Sequence, residues 1–429
     1  MKYSKADLAI NGGPKAKTTP NIPMFPGGLE IGDEEKKEVL EVLDAKWLFR
    51  YYGPKDFPSK VKILEDEYAK YIGVEHALGL NSGTSALITA LIAAGVGPGD
   101  EVIVPAYTFF ASVAAIVAAK AIPIIAEVDE SLTIDPIDIE KKITKRTKAI
   151  LPVHMRGMPA KMDEIMRIAN KNGLKVIEDV AQANGGSYKG KKLGSFGDAG
   201  CFSLQFHKVI TSGEGGILTT NDDLTYTRAQ AYHDVAACWR KDRFAPPEFE
   251  GEIFFGVNYR MSELIGAVAL AQLRKIDNIV FKMQKNKKII RERIQNIPGL
   301  SFREITDEKG DVSVCLIFYL PEPSSVEEFV KALKAEGIEA GGIYNQGVPD
   351  WHIFAHWKIL LDKLTPTEDG CPFNCPLYKG PVPEYTEDMC PKTIDLLSRS
   401  VHIDIPPQLT EEDCIQIANG IEKVASVFL

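Results

Sequence analysis

The sequence predicts an α/β fold: a large domain built on a mainly parallel sheet, then a smaller C-terminal α/β domain. Three observations carry this. From His76 to Val180, short apolar runs alternate with helical stretches, the order of a parallel sheet covered on both faces. The runs are continuously apolar, as burial on both faces demands. After GGILTT (215–220) the rhythm changes, and a long helical stretch from about Met261 to Asn296 leads into a second strand-and-helix region.

The elements follow in order. Residues 1–30 are rich in Gly and Pro and read as an extended arm; 31–285 form the large domain and 286–429 the small one. Asp33 is placed to cap a first helix, and a second runs from Lys60 to Tyr71. HALGL is a strand, and Asn81–Thr84 opens a helix through Leu91. EVIVP is a strand; a helix after Phe109 precedes the strand PIIAEV. KAILPV and LKVIEDV are strands flanking the amphipathic helix KMDEIMRIANKN. Beyond the long helical stretch come the strand DVSVCLIFYL, a helix from Ser325, a loop-rich segment and a helix from Thr410.

With 429 residues, 45% of them hydrophobic, the chain buries a large core without disulfide or metal staples. A net charge of −9 argues against sequence-independent nucleic-acid binding; it leaves anionic small substrates open. MKYSKADLAINGG has no apolar run after its charges, so no secretory leader is expected. The most apolar stretch, Phe109 to Val128, is interrupted by Lys120 and Pro123 and reads as a buried helix and strand, not a membrane span. Seven cysteines, an odd number, suggest reduced thiols and a cytoplasmic protein.

Ligands of open α/β sheets bind beyond the carboxyl ends of strands, and four features fall there. Asn81-Ser82-Gly83-Thr84-Ser85 opens a helix, whose free N–H groups suit a phosphate; such residues also simply cap helices. Phe109, in Ala106-Tyr107-Thr108-Phe109-Phe110, could stack on a flat ring or pack in the core. Glu178-Asp179 ends an apolar strand, where an acid is costly unless paired; Asp179 could keep a pyridine nitrogen protonated or cap a turn. Lys208 lies between Ser203 and the turn Gly213–Gly216, where desolvation would free its amine for a Schiff base; most loop lysines are solvated charges.

Together and in order, NSGTSAL, EVIVPAYTFFAS, PVHMRG, VIEDVAQANG, FSLQFHKVITSGEGG and GVNYRMSE resemble the DegT/DnrJ/EryC1/StrS family of pyridoxal 5′-phosphate (PLP) aminotransferases. The resemblance is close from Gly53 to Asp277 and looser beyond. It implies an aspartate-aminotransferase-like fold (PLP fold type I) and a homodimer with shared sites. By the same resemblance Lys208 forms the Schiff base and moves protons, Asp179 pairs with the pyridinium nitrogen, and Gln182 contacts the ring hydroxyl. Phe109, at a position often held by Trp, stacks on the ring. Gly83, Thr84, Ser85 and Ser203 cradle the phosphate, and Asn258 reaches it from the second subunit, with Arg260 nearby. The implied reaction passes an amino group from glutamate or glutamine to a keto-sugar or keto-cyclitol by a ping-pong mechanism.

Family members that are dehydratases carry His where Lys208 stands, so the lysine favours transamination over dehydration. The pattern S-x-Q-x-x-K (Ser203, Gln205, Lys208) and PVHMRG look like the cyclitol and aminohydroxybenzoate branches, whereas HIDIPPQLTEED matches neither these nor the nucleotide-sugar branch. An aromatising synthase, a dehydratase and a non-catalytic regulatory relative are the alternatives. Cys371, Cys375 and Cys390, with His352 and His356 upstream, lack the pairing of a zinc site and read as unligated thiols. GSFGDAG lacks a dinucleotide loop's G-x-G. Gly341 to Trp357, with Tyr344, Trp351 and His352, reads equally as a substrate-facing loop or as packing.

Overall fold

The computed structural model describes residues 3–54, 57–237, 251–344 and 349–429. The strands are β1 (His76–Leu80), β2 (Glu101–Pro105), β3 (Ile122–Ala126), β4 (Thr147–Ile150), β5 (Lys175–Asp179), β6 (Ser187–Tyr188), β7 (Lys191–Lys192), β8 (Ala199–Ser203), β9 (Gly216–Thr220), β10 (Ser301–Phe302), β11 (Cys315–Tyr319), β12 (Gly341–Gly342) and β13 (Ser400–Asp404). Seven form the large sheet in the order β1-β9-β8-β5-β4-β2-β3. Pairings from β8 to β3 are all parallel, while β9 runs against both β8 and β1. GGILTT, where the sequence rhythm changes, is thus the antiparallel strand.

Side chains alternate across the sheet, so each strand feeds two cores. Leu78, Val104 and Ile177 join one apolar cluster; Ala77, Ile103 and Val176 join the other. A smaller sheet, β10-β11-β13-β12, has its own cluster around Phe318, Phe329 and Val424. β11 links the two lobes: Leu316 and Phe318 face the small core, and Cys315, Ile317 and Tyr319 face a cluster of the large sheet. Trp357, Phe373 and Tyr385, from the loop-rich segment, pack on that same cluster.

Several predicted elements differ in their bounds: KAILPV gives a strand only over Thr147–Ile150 and DVSVCLIFYL only over Cys315–Tyr319. Asp33 opens the first helix, Asp33–Ala45, but Gly32 is its N-cap, because the Glu35 carboxylate reaches back to accept the Gly32 N–H at 2.7 Å. Asp33, Glu34 and Glu35 then place negative charge on the first turn. The long helical stretch is two helices, Glu263–Leu273 and Ile276–Ile294. The chain breaks at Lys275, whose ammonium donates to the Glu30 carbonyl and the Glu35 carboxylate, both at 2.9 Å.

Register positions the site. β5 and β8 pair in parallel, Asp179 opposite Cys201, so Asp179 and Ser203 end adjacent strands on the same edge of the sheet. β1 is held to the helix Lys60–Ile72 by a buried ion pair, Arg50–Glu65. Arg50 also donates to the Gly79 carbonyl (2.9 Å), and Glu65 accepts the Gly79 N–H (2.7 Å). Glu65→Ala leaves a buried guanidinium without its counter-charge and the Gly79 amide without an acceptor. It should cost about 3–5 kcal/mol, read as a clear fall in the denaturation midpoint; an unchanged midpoint would contradict the clamp.

Candidate active site

A cleft of about 450 Å³ opens at the carboxyl ends of the large-sheet strands. Of the residues singled out from sequence, Gly83, Thr84, Phe109, Asp179, Gln182, Ser203 and Lys208 line it. Ser85 lies behind the wall, buried, with its hydroxyl against Ser82 Oγ (2.6 Å) and Asn81 Oδ1 (2.5 Å). Asn258 is exposed outside the cleft, in a short bridge with Asp234, and accepts the Arg260 N–H at 3.2 Å. Arg260 is ion-paired to Asp234.

Asp179 sits at the cleft floor, 5% exposed. Ser112 Oγ donates to its Oδ2 at 2.8 Å and the Ala181 N–H to its Oδ1 at 3.0 Å. Burial raises its carboxyl above the ordinary range, and the Ser112 bond offsets only part of this. Such a group calls for a facing cation. Lys208, half-buried in the loop after β8, supplies one charge. Burial pulls its ammonium below the usual lysine range, while Asp179 works in the opposite direction. The same desolvation that makes the carboxylate costly makes the amine easier to free.

The preceding acid, Glu178, has a structural task. It is fully buried, and its oxygens accept N–H groups of Gly194 (2.9 Å), Phe196 (2.7 Å) and Gly197 (2.9 Å). GSFGDAG is therefore a loop folded over a carboxylate. His154 accepts the Ala160 N–H on Nδ1 (3.0 Å), which leaves its Nε2 proton for Glu178 at 3.2 Å. The His154 N–H bonds the Asp179 carbonyl at 3.0 Å, so this network fixes the strand end that carries Asp179.

At the other end of the cleft the helix Gly83–Ala93 begins against β8. A Cβ on Gly83 would lie 2.7 Å from Ser203 Cβ, and one on Gly216 would lie 2.2 Å from the Ser82 carbonyl oxygen. These contacts hold free N–H groups and the Ser203 hydroxyl around one small space, the form of a phosphate cup. Phe109, 47% exposed, forms a flat apolar wall, and Gln182 Oε1 accepts the Arg156 N–H at 3.1 Å. A cup, a flat wall, a buried acid and a desolvated amine together fit PLP.

The cleft also contains Ser112, Arg156, Glu214 and Asp404, not singled out from sequence, together with Gln205 of the S-x-Q-x-x-K pattern and His352 of the 341–357 segment. The cation in PVHMRG, directly after an apolar strand, was a readable signal for Arg156. His352 comes from the segment 341–357, of which 345–348 lie outside the described residues. It is brought in because the Thr108 N–H bonds its carbonyl (2.9 Å) and the Phe354 N–H bonds that of Ala106 (3.0 Å). Trp357 of that segment is fully buried. Among the described residues, no three His, Cys, Asp or Glu side chains gather as a metal site. No described helix is long and apolar enough to cross a membrane.

Gly83→Ala must push the helix start away from Ser203. It should weaken PLP binding by about tenfold, the equivalent of about 1–2 kcal/mol of overpacking, in a fluorescence titration of the apoprotein. Unchanged affinity would contradict the cup.

Comparison with known proteins agrees with this geometry. A model of the DegT/DnrJ/EryC1/StrS aminotransferase family matches residues 29–373. Over 251 residues the chain is 41% identical to GDP-perosamine synthase of Caulobacter vibrioides, covering 58% of this chain and 63% of that protein. It is 36% identical over 289 residues to L-glutamine:2-deoxy-scyllo-inosose aminotransferase of Streptoalloteichus tenebrarius, covering 66% and 67% of the two chains. The crystal structure of 3-amino-5-hydroxybenzoic acid synthase superposes with a TM-score of 0.77 at 26% identity, over 95% of this chain and 100% of that one. The fold is the aspartate-aminotransferase-like, type I architecture. By motif, fold and cleft alike, this chain belongs to the DegT/DnrJ/EryC1/StrS aminotransferase family.

Proposed function

We propose that the protein is a PLP-dependent aminotransferase that moves an amino group from glutamate or glutamine to a keto-sugar or keto-cyclitol in two half-reactions at one site. The observation that carries this reading is Lys208, a half-buried amine facing the buried Asp179 across the cleft. Lysine rather than histidine at this position favours transamination over dehydration. The relatives named for GDP-perosamine and for scyllo-inosose support a polyhydroxylated ketone as acceptor and leave its identity between sugar and cyclitol.

When bound, PLP supplies an electron sink for the carbon that loses or gains nitrogen. The chain's residues do the rest. Gly83 and Thr84 offer N–H groups and Ser203 a hydroxyl to the phosphate, with Ser85 fixing the turn beneath them. Phe109 covers one ring face, and Gln182 holds the ring hydroxyl. Asp179, steadied by Ser112, holds a proton on the ring nitrogen. Lys208 Nζ takes the proton from the donor's α-carbon and later delivers one to the acceptor carbon. Asn258 would reach the phosphate of a second copy in a homodimer, a reading supported by its exposure and that of nearby Phe255 (98% exposed). The cysteine-bearing, acidic sequence supports a cytoplasmic setting.

After borohydride reduction of the PLP-loaded protein and proteolysis, the cofactor's mass should lie on the peptide containing Lys208. Lys208→Ala should abolish that adduct and lower transamination about 10²–10⁴-fold. An adduct on another lysine, or none in the wild type, would overturn the reading.

A further inference from the structure

Arg156 lines the cleft, yet the chemistry above gives it no task. Its backbone lies in the left-handed region (φ 52°, ψ 41°), unusual for an arginine. Two neighbours hold it there. Its N–H donates to Gln182 Oε1 at 3.1 Å, and its carbonyl accepts from Arg303 Nη1 at 3.5 Å. Arg303, itself buried, also grips the Met155 carbonyl at 2.6 Å. Strained backbone held by its surroundings is a mark of functional placement.

Among the described residues the guanidinium makes one hydrogen bond to protein, where Nε donates to the Tyr107 hydroxyl at 3.3 Å. Among the described residues it forms no ion pair. Two carboxylates feel its charge, but each is already engaged. Asp350 accepts from His352 Nδ1 at 2.7 Å, and Asp404 pairs with His402 Nε2 at 3.2 Å. The Nη edge is left for a ligand. A half-buried guanidinium without an anion is costly, and its planar fork matches a carboxylate. Asp350 and Asp404 at its flanks disfavour a diphosphate, which would bring two further negative charges between them. The bond to Gln182 puts Arg156 at the reacting end of the cleft, away from the Gly83–Ser203 cup. A group attached directly to the reacting carbon falls there.

We propose that Arg156 binds the α-carboxylate of the amino donor and so restricts donors to α-amino acids. The inference rests on the aminotransferase reading. Asp404 and the Asp350–His352 pair then remain to accept hydroxyl hydrogens from the acceptor, which lets one cleft serve both an anionic donor and a polyol.

Isoglutamine tests this, because it carries an amide where glutamate and glutamine carry the α-carboxylate. The half-reaction of the PLP-loaded protein is followed by cofactor absorbance with all three amino acids. Equilibrium binding of glutarate, which has no amine to transfer, is measured beside it. The wild type should prefer its better natural donor over isoglutamine by about 10–100-fold, the range for a charge-assisted hydrogen-bonded pair. R156Q should bring that ratio close to one and weaken glutarate binding by a similar factor, with R156K between. An unchanged ratio in R156Q, or equal glutarate binding, would overturn the proposal. A wild type that reacts with none of the three amino acids would remove the aminotransferase reading beneath it.

Discussion

A carboxylate buried at the end of a central strand must be matched by positive charge, and the organisation of this protein follows from that demand at Asp179. The residue is 5% exposed and receives two hydrogen bonds, from Ser112 and from the Ala181 amide. These are too few to return its carboxyl to the ordinary range. The strand end cannot relax, because Glu178, one residue earlier, is locked by three backbone amides and His154. The charge is thus held in place in a desolvated cleft, and Lys208 faces it. Such preorganisation lets a buried acid control the proton on a bound ring.

The remaining walls are set by close backbone approach and by the second lobe. Gly83 against Ser203 and Gly216 against Ser82 leave no room for a Cβ, so the helix start and β8 close around one small space. From the other side, the small sheet reaches in through β11 and β13. Cys315 and Ile317 pack toward the large sheet, Asp404 ends β13 at the cleft, and Arg303 fixes the backbone that presents Arg156. The cleft is therefore a joint product of both lobes, with the cofactor end built by the large sheet and the reacting end shared.

Much of this was legible in the sequence. Continuous apolar runs such as EVIVP and KVIED gave the buried parallel strands, because burial on both faces erases alternation. The order of motifs gave Asp179, Gln182, Ser203 and Lys208, which the fold gathers in one cleft. What escaped reading was one local helix cap and several pairings distant in the chain. Glu35 reaching back to Gly32, and Lys275 drawn toward Glu30 and Glu35, shifted a cap and split a helix. GSFGDAG looked idle until it was seen folded over Glu178. His352 enters the cleft through backbone bonds to residues some 250 positions earlier, and periodicity cannot report that.

In the aminotransferase reading, nitrogen passes through this one site from an amino acid to a polyhydroxylated ketone. Its most direct test is isotopic. Glutamate labelled with ¹⁵N at the α-amine, and glutamine labelled likewise, would be incubated with the PLP-loaded protein and a panel of keto-sugars and keto-cyclitols, and the products analysed by mass spectrometry. Transamination at Lys208 should give an amino-polyol carrying ¹⁵N, formed in step with the donor's 2-oxo acid. A deoxygenated or aromatised product without ¹⁵N would contradict it.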